Sequence, residues 1–423
     1  MPSSLAERPP VDVPVMEFDA TREPMWTMEA ALLTGCRDEH YALAIAMGLA
    51  SNGVRLDVIG SDEVDYPELH ATENLRFLNL RKGRGGKPSV GRKLVKVLGY
   101  YARLIAYAAR TRAEVLHILW NAEFELFDRT ILMAYFKMCG KKVALTAHNV
   151  NREKRDSKDS WVNRVTLKTQ YRLCDHVFVH TPKMKDELRE EFGVKDGAVT
   201  VIPYPINNAV PSSDLTPAEA KRRLGLRDTE RAILFFGKLR PYKGVEYLLD
   251  AFRLLAQDKK ANYRLIIAGQ PKKGSEAYLE SILQFVDKNF SADRVIPRFE
   301  FIADDEMEIY FKAADVLVLP YKEIFQSGIL FVAYRFGLPV VATDVGSFRE
   351  DIVEGRTGFV SKAGQPEDLA GTLEKYFASD LFKNLKTSRQ EVMTYANAKH
   401  SWNAVADLTC RAYAQMLGRR MPS

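Results

Sequence analysis

The chain has 423 residues, which is too long for one ordinary domain and suits two domains of roughly 200 residues each. It is 46% hydrophobic and 27% charged, which is ordinary for a soluble globular protein. The formal net charge of +6 is mildly basic and favours a partner that carries phosphates, whether nucleotide, lipid head group or nucleic acid.

Cysteine spacing and hydropathy narrow the class further. None of Cys36, Cys139, Cys174 and Cys410 is spaced for a metal site, which predicts free thiols in a reducing cytosol. The N-terminal stretch has no apolar core of signal-peptide length, and no window reaches about 18 apolar residues, so we expect no membrane span. We therefore expect a cytoplasmic protein, with the inner face of the cell membrane as a second location.

Short apolar runs alternate with helical patterns along the whole chain. The strand candidates are "VPVMEF", "RLDVIG", "LRFLNL", "EVLHILW", "KVALTAHN", "HVFVH" and "VTVIPY" in the first half, and "AILFFG", "YRLIIAG", "FEFI", "DVLVLP", "LPVVAT" and "TGFV" in the second. This alternation favours βαβ units and parallel sheets with helices on both faces. We predict an α/β fold with two doubly wound domains.

A glycine loop lies near the start of the first half. Gly35 precedes a helical pattern of small apolar residues that ends at Gly53. Such a loop can bring the backbone close to a ligand. The alternative is an ordinary polar loop before a helix.

Residues 81–112 contain ten Lys or Arg and no acid. The apolar positions of the helical part are Val90, Leu94, Val97, Leu98, Tyr101, Leu104, Ile105 and Ala108. On the opposite side, Arg92, Lys96, Arg103 and Arg110 form one stripe. We expect the apolar side to pack on the sheet, while the basic side suits anionic lipid. A core helix with a solvated back is the alternative.

The run "VALTAHN" ends in a polar cluster that includes His148 and Asn149. Polar residues at the end of a parallel strand face the edge of the sheet where ligands bind. His148 can act on a ligand as a hydrogen-bond donor or acceptor. The alternative is a structural histidine.

The boundary between the two domains is predicted in residues 203–221. Proline, asparagine and serine dominate this segment, and a new helix should start near Thr216 with Pro217 in its first turn. Ligands of doubly wound sheets bind beyond the carboxyl ends of the strands, so the cleft between two such domains is the expected site.

The stretch "FFGKLRPYKGVEYLLDAF" joins a strand that ends at Gly237 to a helix that starts at Val245. Its loop carries Lys238, Arg240 and Lys243. Three cations beside a helix start can neutralise a diphosphate. A solvated basic turn is the alternative.

The stretch "YKEIFQSGILFVAYRFG" places Gln326, Ser327 and Gly328 where a helix should begin. Free backbone N–H groups at a helix start hold anions, and a glycine lets the ligand come close to the backbone. The alternative is that Ser327 simply caps the helix.

Together these motifs resemble the retaining glycosyltransferases of the GT-B fold, of the family 4 type, over nearly the whole chain. Lys238 and Lys243 have the spacing of the two cations that bind the donor's diphosphate in that family, with lysine at 238 where the family usually has arginine. "LTAHN" is similar to the first-domain histidine motif, which corresponds to His148. Residues 337–360 are similar to the pattern that follows the donor-site helix.

The resemblance implies two Rossmann-like domains that face each other across a cleft. Residues 1–208 would form the acceptor-side domain, with a C-terminal helix in 400–423 packing back on it. Residues 209–399 would form the domain that binds the nucleotide-sugar donor.

The resemblance also implies roles for individual residues. The implied catalytic residues are Lys238, Lys243, His148 and Glu323. The implied donor-binding residues are Gly237, Arg240, Gly244, Gln326, Ser327, Gly328, Ile329 and Gly35. No metal ligands are implied, and no cofactor besides the donor substrate.

The sequence departs from the family in its acidic pattern. The family usually has one glutamate for the donor sugar and a second for the ribose of the nucleotide. Counting from Glu323 puts Phe331 at the second position, and counting from Gly337 puts Val332 there. Either way the second acid is missing, and ribose recognition would fall to Glu350 or to backbone groups.

The implied reaction moves a sugar from a nucleotide diphosphate to the hydroxyl of a glycan, glycolipid or lipid-linked acceptor in cell-surface polysaccharide synthesis, with the anomeric configuration kept. A non-catalytic scaffold with the same fold is the alternative, because the second glutamate is absent. An epimerase or hydrolase is disfavoured since no acid–base set is apparent. A nucleic-acid binder is disfavoured because the positive charge is concentrated in one stretch.

Overall fold

A computed structural model describes residues 26–36, 38–81, 90–155, 159–206, 210–257, 262–272, 274–291 and 293–420. These residues fall into two compact units. The first unit consists of the described residues up to 205 together with those from 399 onward, and the second unit consists of 206–398. The division lies beside the boundary predicted at 208.

A seven-stranded parallel sheet organises the first unit, in the strand order β3-β2-β1-β4-β5-β6-β7. The strands are β1 (Glu29–Leu33), β2 (Arg55–Ser61), β3 (Leu75–Arg81), β4 (Val115–Ile118), β5 (Lys142–Thr146), β6 (His176–Val179) and β7 (Val199–Val201). Every residue of β4 and β6 is buried, as expected for parallel strands that helices cover on both faces.

Helices connect these strands. They are α1 (Glu39–Ser51), α2 (Pro67–Ala71), α3 (Val90–Arg110), α4 (Glu125–Phe127), α5 (Met133–Met138), α6 (Arg152–Arg155), α7 (Trp161–Leu173) and α8 (Pro182–Phe192). A π-helical turn, Asp128–Leu132, joins α4 to α5. The side chains of Asp38, Ser160 and Thr181 accept hydrogen bonds from backbone N–H groups at the starts of α1, α7 and α8, respectively.

The second unit contains a six-stranded parallel sheet in the order β10-β9-β8-β11-β12-β13. Its strands are β8 (Arg231–Phe236), β9 (Tyr263–Ala268), β10 (Val295–Arg298), β11 (Val316–Leu319), β12 (Val340–Thr343) and β13 (Gly358–Ser361). Its helices are α9 (Pro217–Arg223), α10 (Val245–Leu255), α11 (Glu276–Asn289), α12 (Asp304–Ala313), α13 (Gly328–Arg335), α14 (Phe348–Asp351), α15 (Pro366–Ala378), α16 (Asp380–Lys383) and α17 (Leu385–Lys399).

The last helix, α18 (Trp402–Met416), belongs to the first unit. The Trp402 ring meets the Tyr41 ring edge-on at a centroid distance of 5.1 Å. The Tyr413 hydroxyl lies 2.8 Å from Nδ1 of His117 in the centre of the sheet. Helix α18 is therefore part of the core of this unit.

Two strand predictions need correction or fall outside the description. "VPVMEF" lies outside the described residues, while β1, "EAALL", was missed because it has no β-branched or aromatic residue. The strand predicted at "FEFI" is wrong, because the strand of this region is β10, which ends at Arg298.

The apolar side of α3 also differs from the prediction. Val97, Leu104 and Ala108 are buried, as expected for positions that pack on the sheet. Leu94 and Leu98 are instead 50% and 55% exposed. The core therefore covers the second half of the apolar side but not its start.

Candidate functional site

In the second unit, the loop with the three cations is fixed by a close approach at Gly244. This residue has φ +64° and precedes α10. A Cβ atom there would lie 2.1 Å from the carbonyl oxygen of Pro320, the first residue after β11. The N–H of Lys322 also donates to the carbonyl of Tyr242 over 2.8 Å. The cation loop after β8 and the loop after β11 are thus joined, and only glycine fits at 244.

Lys243 turns its ammonium group back toward the end of β8. Its Nζ lies 5.1 Å from the ring centroid of Tyr321 and 6.0 Å from that of Phe235. The same atom is 2.7 Å from the place that a Cβ of Gly237 would occupy. Lys243 forms no ion pair with another described residue, whereas the neighbouring Lys322 pairs with Glu246. Its charge is therefore available for an anionic ligand.

The other two cations of the loop are more exposed. Lys238 is exposed and has no ion pair within the described part of the chain. Arg240 is half-buried, and its guanidinium lies 5.7 Å from the ring centroid of Tyr242. The structure thus fixes Lys243 at the end of β8 and leaves Lys238 in solvent.

The start of α13 is not capped by Ser327. The Ser327 side chain accepts no hydrogen bond from the helix, and its Oγ lies 3.5 Å from the Tyr321 hydroxyl. The simple capping interpretation is therefore wrong. The first N–H groups of α13, including those of Gly328 and Ile329, therefore donate no hydrogen bond to the side chain of the N-cap residue, which usually accepts from such groups.

Gln326 precedes this helix start, and both polar atoms of its side-chain amide are buried. Neither Oε1 nor Nε2 has a hydrogen-bond partner among the described atoms. The backbone around it is held in place, because the carbonyl of Phe325 accepts from Ser347 N–H over 3.0 Å. A buried amide without partners is costly unless a ligand supplies them.

The acidic candidates lie on the surface. Glu323 is exposed and forms no hydrogen bond or ion pair with another described residue. Glu350 is exposed on α14. Their predicted contacts with the sugar and the ribose stay predictions.

In the first unit, a cleft of about 190 Å³ opens at the carboxyl ends of β4 and β5. Its polar lining includes Asn121, Thr146, His148, Asn149 and Gln170. The one cation that lines it within the described residues is Arg129, which is tied to Glu125 at 2.6 Å and to Asn163 at 2.8 Å. The cleft therefore suits a ligand with hydroxyl groups better than one with a phosphate.

His148 lies in this cleft, stacked on Trp120 with ring centroids 4.4 Å apart and planes 5° apart. Its Nδ1 is 3.1 Å from Nε2 of His180, and its Nε2 is buried without a partner in the described structure. Burial lowers the pKa of His148 well below its usual value, and the nearby His180 and His117 lower it further. His148 is neutral at pH 7, and its Nε2 can act as a hydrogen-bond donor or acceptor.

Two residues that contact His148 were missed in the sequence. Trp120 ends the run of β4, and His180 follows β6 directly. The rule that selected His148, a polar residue after a parallel strand, also selects His180. Trp120 carried no comparable signal, because an aromatic residue after a strand usually belongs to the core.

Gly35 is explained by packing. With φ +59°, it brings its loop so close to Trp120 that a Cβ would lie 2.6 Å from the carbonyl oxygen of that residue. The loop thus supports the residue on which His148 stacks. Contact of Gly35 with a ligand stays a prediction.

The described residues contain no group of three or more His, Cys, Asp or Glu that could hold a metal ion. In the same residues, no helix combines the length and the apolarity needed to cross a membrane.

Both parts of the chain match known families. Residues 39–210 match the Glycosyltransferase Family 4 model, and residues 218–399 match the Glycosyl transferases group 1 model. The chain is 29% identical to mannosylfructose-phosphate synthase of Agrobacterium fabrum over 212 residues, which are 49% of this chain and 46% of that protein. It is 25% identical to D-inositol 3-phosphate glycosyltransferase of Paenarthrobacter aurescens over 394 residues, 89% of this chain and 92% of that one.

Solved structures show the same fold. Sucrose-phosphate synthase from Thermosynechococcus elongatus superposes with a TM-score of 0.71 at 18% identity, covering 93% of this chain and 100% of that one. HepE from Anabaena, in complex with UDP and glucose, superposes with a TM-score of 0.68 at 17% identity, covering 92% and 100%. With two family matches that together cover residues 39–210 and 218–399, the chain belongs to the glycosyltransferases of the GT-B fold, of the family 4 type.

Proposed function

We propose that the protein is a retaining glycosyltransferase that transfers a sugar from a nucleoside-diphosphate sugar to an acceptor hydroxyl. The observation that carries the proposal is the ammonium group of Lys243, which is held at the end of β8 without an acidic partner in the described structure. The uncapped start of α13 and the unpartnered amide of Gln326 belong to the loop that is bonded to the Lys243 loop. Together they suit a diphosphate and its sugar.

In the proposed reaction, the bond between the anomeric carbon and the diphosphate breaks while the acceptor oxygen bonds to the same face of the sugar. The acceptor proton passes to the leaving phosphate. Negative charge grows on the diphosphate, so preorganised cations and N–H groups lower the barrier without a metal ion. Lys243 and the N–H groups of Gly328 and Ile329 would supply this stabilisation. Lys238 and Arg240 lie in the same loop as Lys243.

The acceptor is proposed to bind in the first unit, in the cleft with His148 and Trp120. The neutral hydrogen-bonding groups that line this cleft favour a sugar hydroxyl. The similar proteins named for phosphorylated acceptors would require a free cation, and the described lining offers only Arg129, which is already paired. We therefore propose a glycan, glycolipid or lipid-linked acceptor, as in cell-surface polysaccharide synthesis, and membrane contact through 81–112.

Replacing Lys243 with alanine tests the donor site. We expect the variant to lose ~100-fold or more in transfer rate, because one preorganised charge is removed from the developing diphosphate. Isothermal titration with UDP, GDP and ADP should show weaker binding of the preferred nucleotide, while the thermal unfolding midpoint stays close to that of the parent.

Lys375→Ala is the matched control. Lys375 also lies over an aromatic ring of the second unit, with Nζ 4.7 Å from the ring centroid of Phe359, but it pairs with Glu354 at 3.3 Å. Its loss should leave nucleotide binding unchanged. Near-normal transfer by Lys243→Ala would refute the assignment. Lack of stabilisation of the parent by any UDP-, GDP- or ADP-sugar would favour a non-catalytic scaffold.

A further inference from the structure

The large exposed apolar side chains of the described residues are concentrated in the first unit. Trp161 is 77% exposed, Val95 70% and Ile131 64%. We call the following set the apolar rim: Leu94, Val95, Leu98, Phe124, Leu126, Ile131, Trp161, Val162 and Val165. Scattered apolar residues on a surface are ordinary, but a contiguous group marks a binding surface.

The apolar rim extends over three neighbouring helices. Tyr101 of α3 stacks on Phe124 with centroids 5.6 Å apart, and its hydroxyl accepts from the Phe124 N–H over 3.0 Å. Arg129, in the turn that follows α4, donates to Asn163 near the start of α7 over 2.8 Å. Tyr101 lies one turn after Leu98 in α3, so these contacts bring the part of α3 that carries the rim close to the starts of α4 and α7.

The rim lies at the same edge of the sheet as the acceptor cleft. Helices α3, α4 and α7 lie in the connections between parallel strands, so each starts on the side of the carboxyl ends. Asn163 of α7 donates to Asn151, which follows β5, over 2.9 Å. Trp120, which lines the cleft, is followed directly by the segment that leads to Phe124.

The charges around the apolar rim are mainly positive. Helices α3 and α7 contain no acidic residue along Val90–Arg110 and Trp161–Leu173. Nearby acids are neutralised, because Glu125 pairs with Arg129 and Asp159 pairs with Arg164, each at 2.6 Å. Lys168 and Arg172 are exposed on α7 and have no ion pair with another described residue. The surroundings of the rim are therefore positive.

Helix α7 separates exposed apolar side chains from exposed cations along its length. Its exposed face carries Trp161 and Val165 in the first turns and then Lys168 and Arg172 toward its end. Apolar side chains at the tip with cations behind them fit the boundary between acyl chains and anionic head groups. The core of a protein–protein interface is instead depleted in lysine.

We propose that the apolar rim inserts into the surface of an anionic lipid bilayer and so holds the acceptor cleft at that surface. The proposal rests on the proposed function for its consequence, a lipid-linked acceptor, but the insertion itself is independent of catalysis. It places the lipid contact on exposed apolar side chains of three neighbouring helices, whereas the basic stripe of 81–112 alone would place it on the basic face of one helix.

Co-sedimentation with vesicles tests the proposal. The full chain should bind phosphatidylcholine vesicles that contain phosphatidylglycerol and bind pure phosphatidylcholine vesicles weakly. The double variant Leu98→Ser/Trp161→Ser should lower the partition coefficient at least ~10-fold, because two apolar side chains no longer enter the interface. The matched control is Phe301→Ser, which removes a side chain that is 69% exposed in the second unit, and it should bind as the parent does.

Three results would overturn the proposal. They are absence of binding to anionic vesicles, equal binding by the double variant, and a vesicle-free dimer of the parent that the double variant loses, which would assign the rim to a second copy of the chain. Titration with UDP, GDP and ADP in solution separates this outcome from the proposed function. If the parent binds nucleotide but not anionic vesicles, only the rim proposal is refuted, and if it binds anionic vesicles but no nucleotide, only the donor site is refuted.

Discussion

Gln326 and Lys243 show at the residue scale how a site can be recognised from what its residues lack. Each has a polar group that is placed by the fold but not satisfied by a described neighbour. For Lys243 the cost is small, because its ammonium also meets two aromatic rings. For Gln326, two buried polar atoms without partners represent a loss of about 1–3 kcal/mol each in mutational terms.

Gln326→Leu tests that interpretation. Leucine removes the unpaired polar atoms with little change in volume, so the thermal unfolding midpoint should rise or stay unchanged. Nucleotide-sugar affinity should fall at least ~10-fold, since a buried hydrogen bond of about 1.4 kcal/mol is lost. Calorimetry and titration with the preferred donor measure both effects. If stability falls while affinity is kept, the amide has a structural role instead.

His180 is a second lesson at this scale. The sequence rule that found His148 applies equally to His180, yet only the structure shows that the two rings share a hydrogen bond. The spacing of Lys238 and Lys243 predicted a pair of cations, but it could not separate the one held at the strand end from the one in solvent. Such differences depend on Tyr321 and Phe235, which neighbour Lys243 only after folding.

At the scale of elements, the cation loop packs directly against the loop after β11, because Gly244 has no side chain that would separate the two loops. Gly244→Ala should therefore be strongly destabilising. Gly225 offers a matched control, because it has φ +75° and a Cβ added there would meet no atom within 4 Å, against φ +64° and 2.1 Å for Gly244. Both substitutions carry the left-handed backbone cost of about 1–2 kcal/mol, and only Gly244→Ala adds the clash with Pro320.

Urea denaturation of the two glycine variants measures the difference in the free energy of unfolding. We expect Gly244→Ala to lose more stability than Gly225→Ala and to lose nucleotide binding as well. Equal losses would mean that the two loops can separate at no cost.

The elements themselves were largely predictable. Most strands follow from apolar runs, and α9 begins as predicted, with Thr216 and Glu219 forming a capping box and Pro217 in the first turn. The helix expected to start at Val245 is α10, and its residues Val245, Leu248 and Phe252 are fully buried. The failures have physical causes: β1 is short and rich in alanine, and half of the apolar start of α3 has no core to cover it.

At the scale of the whole molecule, the two units differ in their histidine content. All seven histidines of the chain lie in the first unit, and none lies in 206–398. Burial lowers the pKa of His117 to about 3 and that of His176, His180 and His400 to about 4, from 6.5. These groups are neutral in the folded unit and take up protons on unfolding.

The sign of the pH effect follows from these shifts. A histidine whose pKa is lower in the folded state stabilises the fold above its unfolded value of 6.5, and this contribution is lost as pH falls toward 4. Asp128 and Glu187 act in the opposite sense, because burial raises the pKa of Asp128 to about 6 and that of Glu187 above its usual value, but these are two groups against several histidines. We expect the first unit to lose stability below pH 6.5 before the second unit does.

Limited proteolysis between pH 7 and pH 4, with fragments assigned by mass spectrometry, measures this order. Cleavage should begin in the first unit and spread to 206–398 only at lower pH. Earlier cleavage within 206–398, or simultaneous cleavage of both, would show that the buried histidines do not control acid stability.

The aromatic residues of the first unit have one more consequence. All four tryptophans, Trp26, Trp120, Trp161 and Trp402, lie in the first unit, and the second unit has none. The intrinsic tryptophan fluorescence of the chain therefore comes from the first unit only. A change in tryptophan emission on addition of a nucleotide would report a change in the first unit, which does not contain the proposed donor loop. Fluorescence without an added dye can therefore show whether donor binding in the second unit affects the first unit.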